Sequence, residues 1–207
     1  MQQKKRIVFI GDSITEWGLE GDREQLGTGY VRLIHDYLTV TNPEKQFEII
    51  NRGVGGNRIT DLASRWDQDV ISLNPDIVSI SIGINDVWRQ LDQPGGKQVY
   101  PEQFAQIYDE LLRSVTEKTN ATIILMEPTV IEENVYSEGN KKLISYVDVI
   151  HSIAENYHSI IVPTHHTFME YLQANTHYKL TLDGVHMNPA GNMLMAKTWL
   201  KATSSLY

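Results

Sequence analysis

The chain has 207 residues, 41% hydrophobic and 21% charged, a balance that gives one domain of this length a full core. Its formal net charge of -8 argues against nucleic acid or an anionic membrane as the main partner, because both select basic patches. It contains no cysteine, which excludes disulfides, thiolate metal ligands and a cysteine nucleophile.

The charged N-terminus, Met1 to Arg6, precedes an apolar run too short for a signal-peptide core, and no stretch approaches membrane-spanning length. The expectation is a cytoplasmic protein. Ile7 to Ile10 reads as a buried strand broken by Gly11, with Ser13 just past its end. A polar, Gly-rich segment follows, Glu16 to Gly29, long enough to be a functional loop. Val31, Ile34, Tyr37 and Leu38 then recur at helical spacing, and Asn42-Pro43 stops them. Phe47 to Ile50 is a second strand running into the glycine-crowded Asn51-Arg52-Gly53-Val54-Gly55-Gly56-Asn57. Ile59, Leu62, Ala63, Trp66 and Val70 mark a helix, and Ile77 to Ile82 a third strand ending in the turn Gly83-Ile84-Asn85-Asp86. Pro101 opens a helix with the apolar stripe Phe104, Ile107, Tyr108, Leu111, Leu112 and Val115. Thr122 to Met126 and Ile160 to Val162 are strands, and Leu143 to Ala154 lies on a helix between them. A helix from about Phe168 to Ala174 and a last one from Asn188 to about Lys201 bracket a loop carrying Asp183 and His186.

Strands alternating with helices predict one α/β domain over residues 1–207: a doubly wound, five-stranded parallel sheet in a three-layer sandwich. In such a sheet, chemistry collects at the C-terminal strand ends. A serine hydroxyl there needs a base, a group to orient that base, and donors aimed at the developing oxyanion. Ser13 follows strand one, and Gly53 follows strand two, where bare backbone approaches a substrate closely. Asn85 follows strand three with a side-chain amide. Asp183 and His186 stand three residues apart, within reach of one another over one helix-like turn.

Gly11-Asp12-Ser13-Ile14, Gly53, Gly83-Ile84-Asn85-Asp86 and Asp183-Gly184-Val185-His186 resemble, in order, the four blocks of the SGNH, or GDSL, hydrolase superfamily. Ile14 stands where Leu is common in the family. The resemblance implies a flavodoxin-like fold and metal-free, cofactor-free ester hydrolysis. It makes Ser13 the nucleophile, His186 the base and Asp183 its orienter. The Ser13 and Gly53 N–H groups and the Asn85 side chain would form the oxyanion hole. Leu26-Gly27-Thr28-Gly29-Tyr30-Val31, Arg65-Trp66 and Gly83 to Gln90 are similar to intracellular acetylxylan esterases, which implies acetylated xylo-oligosaccharide substrates and a homo-oligomer. Thr181-Leu182 precedes Asp183 where an aromatic is expected. Asp12, Arg58, Trp88 and Arg89 are candidate substrate contacts, and Asp12 also suits an Asx turn that shapes the loop.

Several motifs have plainer readings. Gly53-Val54-Gly55-Gly56 lacks the third glycine of a dinucleotide fingerprint, since Arg58 holds that place. There is no Gly-x-Ser-x-Gly elbow. His165-His166 and His177 have no carboxylate at ligand spacing, which argues against a metal, and His35, His151 and His158 read as solvated helix residues. Asp86 is expected to brace the turn carrying Asn85, and Trp66 to sit in a core or subunit contact. Asn120-Ala121-Thr122 matches a glycosylation sequon without a secretory signal. The rival functions are a short-chain thioesterase or lysophospholipase using the same groups, and a carbohydrate-binding protein that has lost catalysis.

Overall fold

The computed structural model describes residues 4–174 and 177–207; Met1 to Gln3 of the charged N-terminus lie outside the described residues. The strands are β1 (Lys5–Gly11), β2 (Phe47–Gly53), β3 (Ile77–Ser81), β4 (Thr122–Met126) and β5 (Ile160–Val162). They form one sheet in the order β2-β1-β3-β4-β5, with every neighbouring pair parallel. The chain winds outward from β1 to β2, then crosses back to β3, so the direction of winding reverses at β1/β3. That reversal opens a crevice at the C-terminal strand ends. The register aligns Gly11 with Gly53 on one side and Ser81 on the other, so residues just past these strands meet in one place.

The helices are α1 (Ser13–Glu16), α2 (Tyr30–Thr41), α3 (Ile59–Asp69), α4 (Ile84–Asp92), α5 (Pro101–Lys118), α6 (Glu138–Tyr157), α7 (Thr164–Gln173) and α8 (Pro189–Ala202). α8 packs on α2 and α7, and α5 packs on α3 and α6. These are the outer layers of the expected sandwich. α2 buries Tyr30, Val31, Ile34 and Leu38, the i, i+1, i+4, i+8 stripe of an amphipathic helix. Asn188 caps α8 by accepting the N–H groups of Ala190 and Gly191, and Pro189 takes the first helical position. Trp199 of α8 donates its indole N–H to Ser79 of β3 at 3.0 Å and packs against Phe9 of β1.

One element differs from the sequence reading. Gly83 to Asp86 is the start of α4, with Gly83 as its N-cap at φ 121°, and Asn85 and Asp86 in its first turn. The helix has only Ile84 and Val87 as its buried apolar pair, too little periodicity to announce it. Trp66 is core, with its indole N–H on Ser114 at 3.0 Å. Among the described residues no helix is long and apolar enough to cross a membrane.

Candidate active site

Asp12 ends the turn after β1. Its Oδ1 accepts the Ile14 N–H at 3.0 Å, and its carbonyl accepts the Glu16 N–H at 2.9 Å. These bonds wind one turn of helix and place Ser13 at its first position, over the strand ends. The Ser13 Oγ lies 2.9 Å from Nε2 of His186, 173 residues away in the chain. Nδ1 of that imidazole lies 2.7 Å from Oδ2 of Asp183. A hydrogen on Nδ1 directed at the carboxylate leaves Nε2 bare, so the serine hydroxyl donates to it.

Asp183 is held by its own loop. Its Oδ1 accepts the N–H groups of Val185 (3.0 Å) and His186 (2.8 Å). Partial burial pushes its carboxyl up, but the hydrogen bonds from the His186 ring and these two amides outweigh it and leave the group below the usual carboxylate range. The loop itself is pinned from below. Glu133 Oε1 accepts the N–H groups of Leu180 (2.9 Å) and Thr181 (2.7 Å) and the Thr181 hydroxyl (2.5 Å). Glu132 donates its N–H to the Gly184 carbonyl at 2.7 Å. No sequence signal marks Glu133, which stands in an irregular segment after β4.

Asn85, in the first turn of α4 and 2% exposed, donates its Nδ2 to the Asn57 carbonyl at 3.1 Å. That bond ties α4 to the turn Val54–Asn57, which is closed by the Asn57 N–H on the Val54 carbonyl (3.3 Å), with Gly56 at φ +76°. Gly53 departs from expectation. Its N–H donates to Asn51 Oδ1 at 2.9 Å, so it is not free to meet an oxyanion. Its lack of a side chain serves packing instead, because a Cβ there would sit 2.1 Å from the Glu16 nitrogen. The next glycines are better placed. A Cβ on Gly55 would come 3.9 Å from that of Ser13, and among the described residues neither the Gly55 nor the Gly56 N–H has a protein acceptor.

Two tryptophans flank the imidazole. Trp17 stacks on His186 with ring centroids 5.5 Å apart, and Trp88 meets it edge-on at 6.1 Å. Trp17 escaped the sequence reading because it stands in a polar, aperiodic segment. Arg89 pairs with Asp92 (2.5 Å) and lies over the Trp88 ring, and Arg58 donates to the Lys97 carbonyl at 2.8 Å. Arg58 and Arg89 line a polar hollow of 260 Å³ that reaches Gly56. Trp17 and Leu182 line a second, more apolar one of 340 Å³. Asp12 is not a substrate contact. It is 2% exposed and spends its carboxylate on the α1 cap.

Burial pushes the Asp12 carboxyl up to about 7, partly opposed by the Ile14 N–H and the His186 charge. Asp86 is also pushed up to about 7 by burial, against the Ile59 N–H and the Arg58 charge. Both Asp86 oxygens accept that Ile59 N–H at 3.3 Å, joining α4 to the start of α3 as the expected brace. In the folded chain Asp86 holds its proton to about pH 7, whereas an unfolded carboxyl releases it near pH 4. Folding therefore takes up a proton between those values, and stability falls as pH rises through that window. Asp86→Asn removes the cost, bounded at roughly 4 kcal/mol. Its melting temperature should exceed the parent's at pH 8 and match it near pH 4; equal gains at both pH values would contradict the buried neutral carboxyl.

Among the other histidines, His166 parts from expectation, while His35, His151 and His158 lie on a helix or at its end as expected. His165 points inward, with Nδ1 on the Thr129 carbonyl at 2.6 Å. His166 does meet a carboxylate, Glu127, which His151 shares. Spacing along the chain hid this, because Glu127 follows β4 while His151 and His166 come from α6 and α7.

Comparison with known proteins bears on the family and the fold. Residues 9–194 match the GDSL-like Lipase/Acylhydrolase family. The chain belongs to this family. It is 40% identical to an acetylxylan esterase of Geobacillus stearothermophilus, over 95% of this chain and 93% of that one. A solved structure of Axe2 from that organism, a catalytic aspartate-to-alanine mutant, superposes with a TM-score of 0.89 at 37% identity, covering 98% of this chain and 95% of that chain. LAE5, an α/β hydrolase from the metagenome of Lake Arreo in Spain, also gives 0.89, at 36% identity, over 100% of this chain and 98% of that one. The GDSL family member described here is a carboxylic-ester hydrolase.

Proposed function

We propose that this esterase removes acetyl groups from xylo-oligosaccharide-type sugar esters through Ser13, His186 and Asp183. The observation that carries the reading is the unbroken path from Ser13 Oγ to His186 Nε2 (2.9 Å) and from Nδ1 to Asp183 (2.7 Å). Ser13 Oγ attacks the acetyl carbonyl while Nε2 takes its proton. Asp183 stabilises the imidazolium that forms. Collapse of the tetrahedral intermediate expels the sugar oxygen, which takes the proton back from Nε2. Water, deprotonated by the same nitrogen, then attacks the acetyl-serine and releases acetate.

The Ser13 N–H, at the first helical position, is one of the amides a helix start leaves unpaired. With the Asn85 side-chain amide and the central amide of the Val54–Asn57 turn, the Gly56 N–H, it supplies the oxyanion donors. Asn85→Ala should lower kcat by about 10²- to 10³-fold with a smaller change in KM, since the bond it makes strengthens only in the transition state. A KM effect alone would contradict this role.

The aromatic edges at Trp17 and Trp88 and the polar hollow at Arg58 and Arg89 support a sugar leaving group, as does the named activity of the relatives. A panel of acetylated xylo-oligosaccharides, short acyl-thioesters and lysophospholipids tests this. The highest kcat/KM should fall on the acetylated sugars. Preference for thioester or lipid would replace the substrate and leave the triad standing. Assembly as a homo-oligomer belongs to the same proposal; exposed Tyr37 and Met193 beside a 530 Å³ hollow between α2 and α8 are consistent with a covered face.

A further inference from the structure

Away from the triad, one cluster combines a buried charge with exposed ligating atoms. Glu127 is the first residue past β4, and its side chain is 0% exposed. Its backbone is fixed on both sides: its N–H donates to the Val162 carbonyl at 3.1 Å, and its carbonyl accepts the Thr164 hydroxyl. Oε1 faces Nε2 of His151, from α6, at 2.6 Å and Nδ1 of His166, from the first turn of α7, at 2.8 Å. Oε2 accepts the backbone N–H of His166 at 3.1 Å. Among the described residues no Lys or Arg pairs with Glu127. A buried carboxylate is costly without a cation, and here its partners are two groups that need not be charged.

We propose that Glu127, His151 and His166 form a binding site for a divalent transition-metal ion of the Zn²⁺ class. One ligand atom from each residue lies within 4.8 Å of the others. A tetrahedral ion with bonds of about 2.0–2.2 Å holds its ligand atoms roughly 3.3 Å apart. The pairs at 2.6 and 2.8 Å therefore need to open by only a fraction of an ångström. The imidazoles have room to do so, being 43% and 60% exposed, while the carboxylate stays fixed. Two nitrogens and one carboxylate oxygen favour this class over Mg²⁺ or Ca²⁺, which want all-oxygen sites. The His166 N–H on Oε2 is the outer-shell bond that orients a ligating carboxylate. The remaining positions open onto a shallow 370 Å³ hollow where Asp148 and Glu155 stand. On binding, the hydrogen each ring directs at Glu127 passes to its other nitrogen or to solvent. The ion would clip α6 to α7, the helix that leads into the loop carrying Asp183 and His186.

The test is calorimetric titration of the tag-free full chain with Zn²⁺, in a His186→Gln background that removes the triad imidazole as a competing ligand. One ion per chain should bind, and adding His151→Asn with His166→Asn should weaken it at least about 100-fold. Glu127→Gln, which keeps the volume, should do the same. Co²⁺ in place of Zn²⁺ should give visible absorption bands that saturate at one equivalent and vanish in the double variant. Unchanged binding in the double variant, or no saturable binding at tenfold molar excess, would overturn the site.

Discussion

Ser13→Ala should lower kcat on an acetyl ester by about 10⁴- to 10⁶-fold, with KM little changed and a residue of activity above the uncatalysed rate. The substitution removes one oxygen from a partly exposed position at the start of α1. It breaks no cap, since Asp12 rather than Ser13 holds the Ile14 N–H, and the melting temperature should stay near the parent's. What is lost is the covalent route. Without Oγ, the imidazole can activate only water, while the Asn85 and backbone donors still polarise the carbonyl. That remaining polarisation is why some activity should survive. Steady-state kinetics on an acetylated xylo-oligosaccharide, beside a melting curve, checks both halves. A drop of tenfold or less would remove Ser13 from the chemistry.

Asp183→Asn should cost about 10⁴-fold in kcat at neutral pH, nearly as much as losing the nucleophile. The reason lies in which ring nitrogen carries the hydrogen. The Asp183 carboxylate accepts from Nδ1 at 2.7 Å and so leaves Nε2 as the acceptor facing Ser13 at 2.9 Å. An asparagine can turn its NH₂ toward Nδ1, which favours the tautomer with hydrogen on Nε2. The base then no longer accepts the serine proton, and the imidazolium loses its counter-charge. Backbone bonds from Val185 and His186 to Oδ1 can be kept by the amide oxygen, so the loop should hold its shape. Asp183→Ala, which loses those bonds too, should add a fall in stability that Asp183→Asn does not. If Asp183→Asn kept the parent's rate at neutral pH, the orienting role would be refuted.

Much of this was legible in the sequence, and the reason is topological. Apolar runs broken by Gly11 and Gly83, and a third running into the glycine-crowded segment around Gly53, marked the strand ends, and in a doubly wound sheet those ends converge. Ser13 and Asn85 could therefore be placed together, and Asp183 and His186 were named from their shared loop, their three-residue spacing and the family resemblance. Three features escaped for reasons that are equally physical. Gly53 drew attention as the first glycine after an apolar run, but β2 extends to it and Asn51 claims its amide; the unpaired amides come later, in the Val54–Asn57 turn. Of the two roles Asp12 suits, the Asx turn is the one its Oδ1 takes up on the Ile14 N–H, and that cap buries it away from a ligand. Trp17, Glu133 and the Glu127 cluster act through partners far away in the chain. No period or spacing carries that information, since it arises only when helices dock on the sheet.

The most direct test of the central claim is stoichiometric labelling with an organophosphate ester that mimics the tetrahedral intermediate, followed by peptide mapping. One label per chain should appear on the peptide holding Ser13, and esterase activity should fall in proportion to it. Activity that persists with Ser13 fully labelled, or activity lost with the label on another residue, would contradict it.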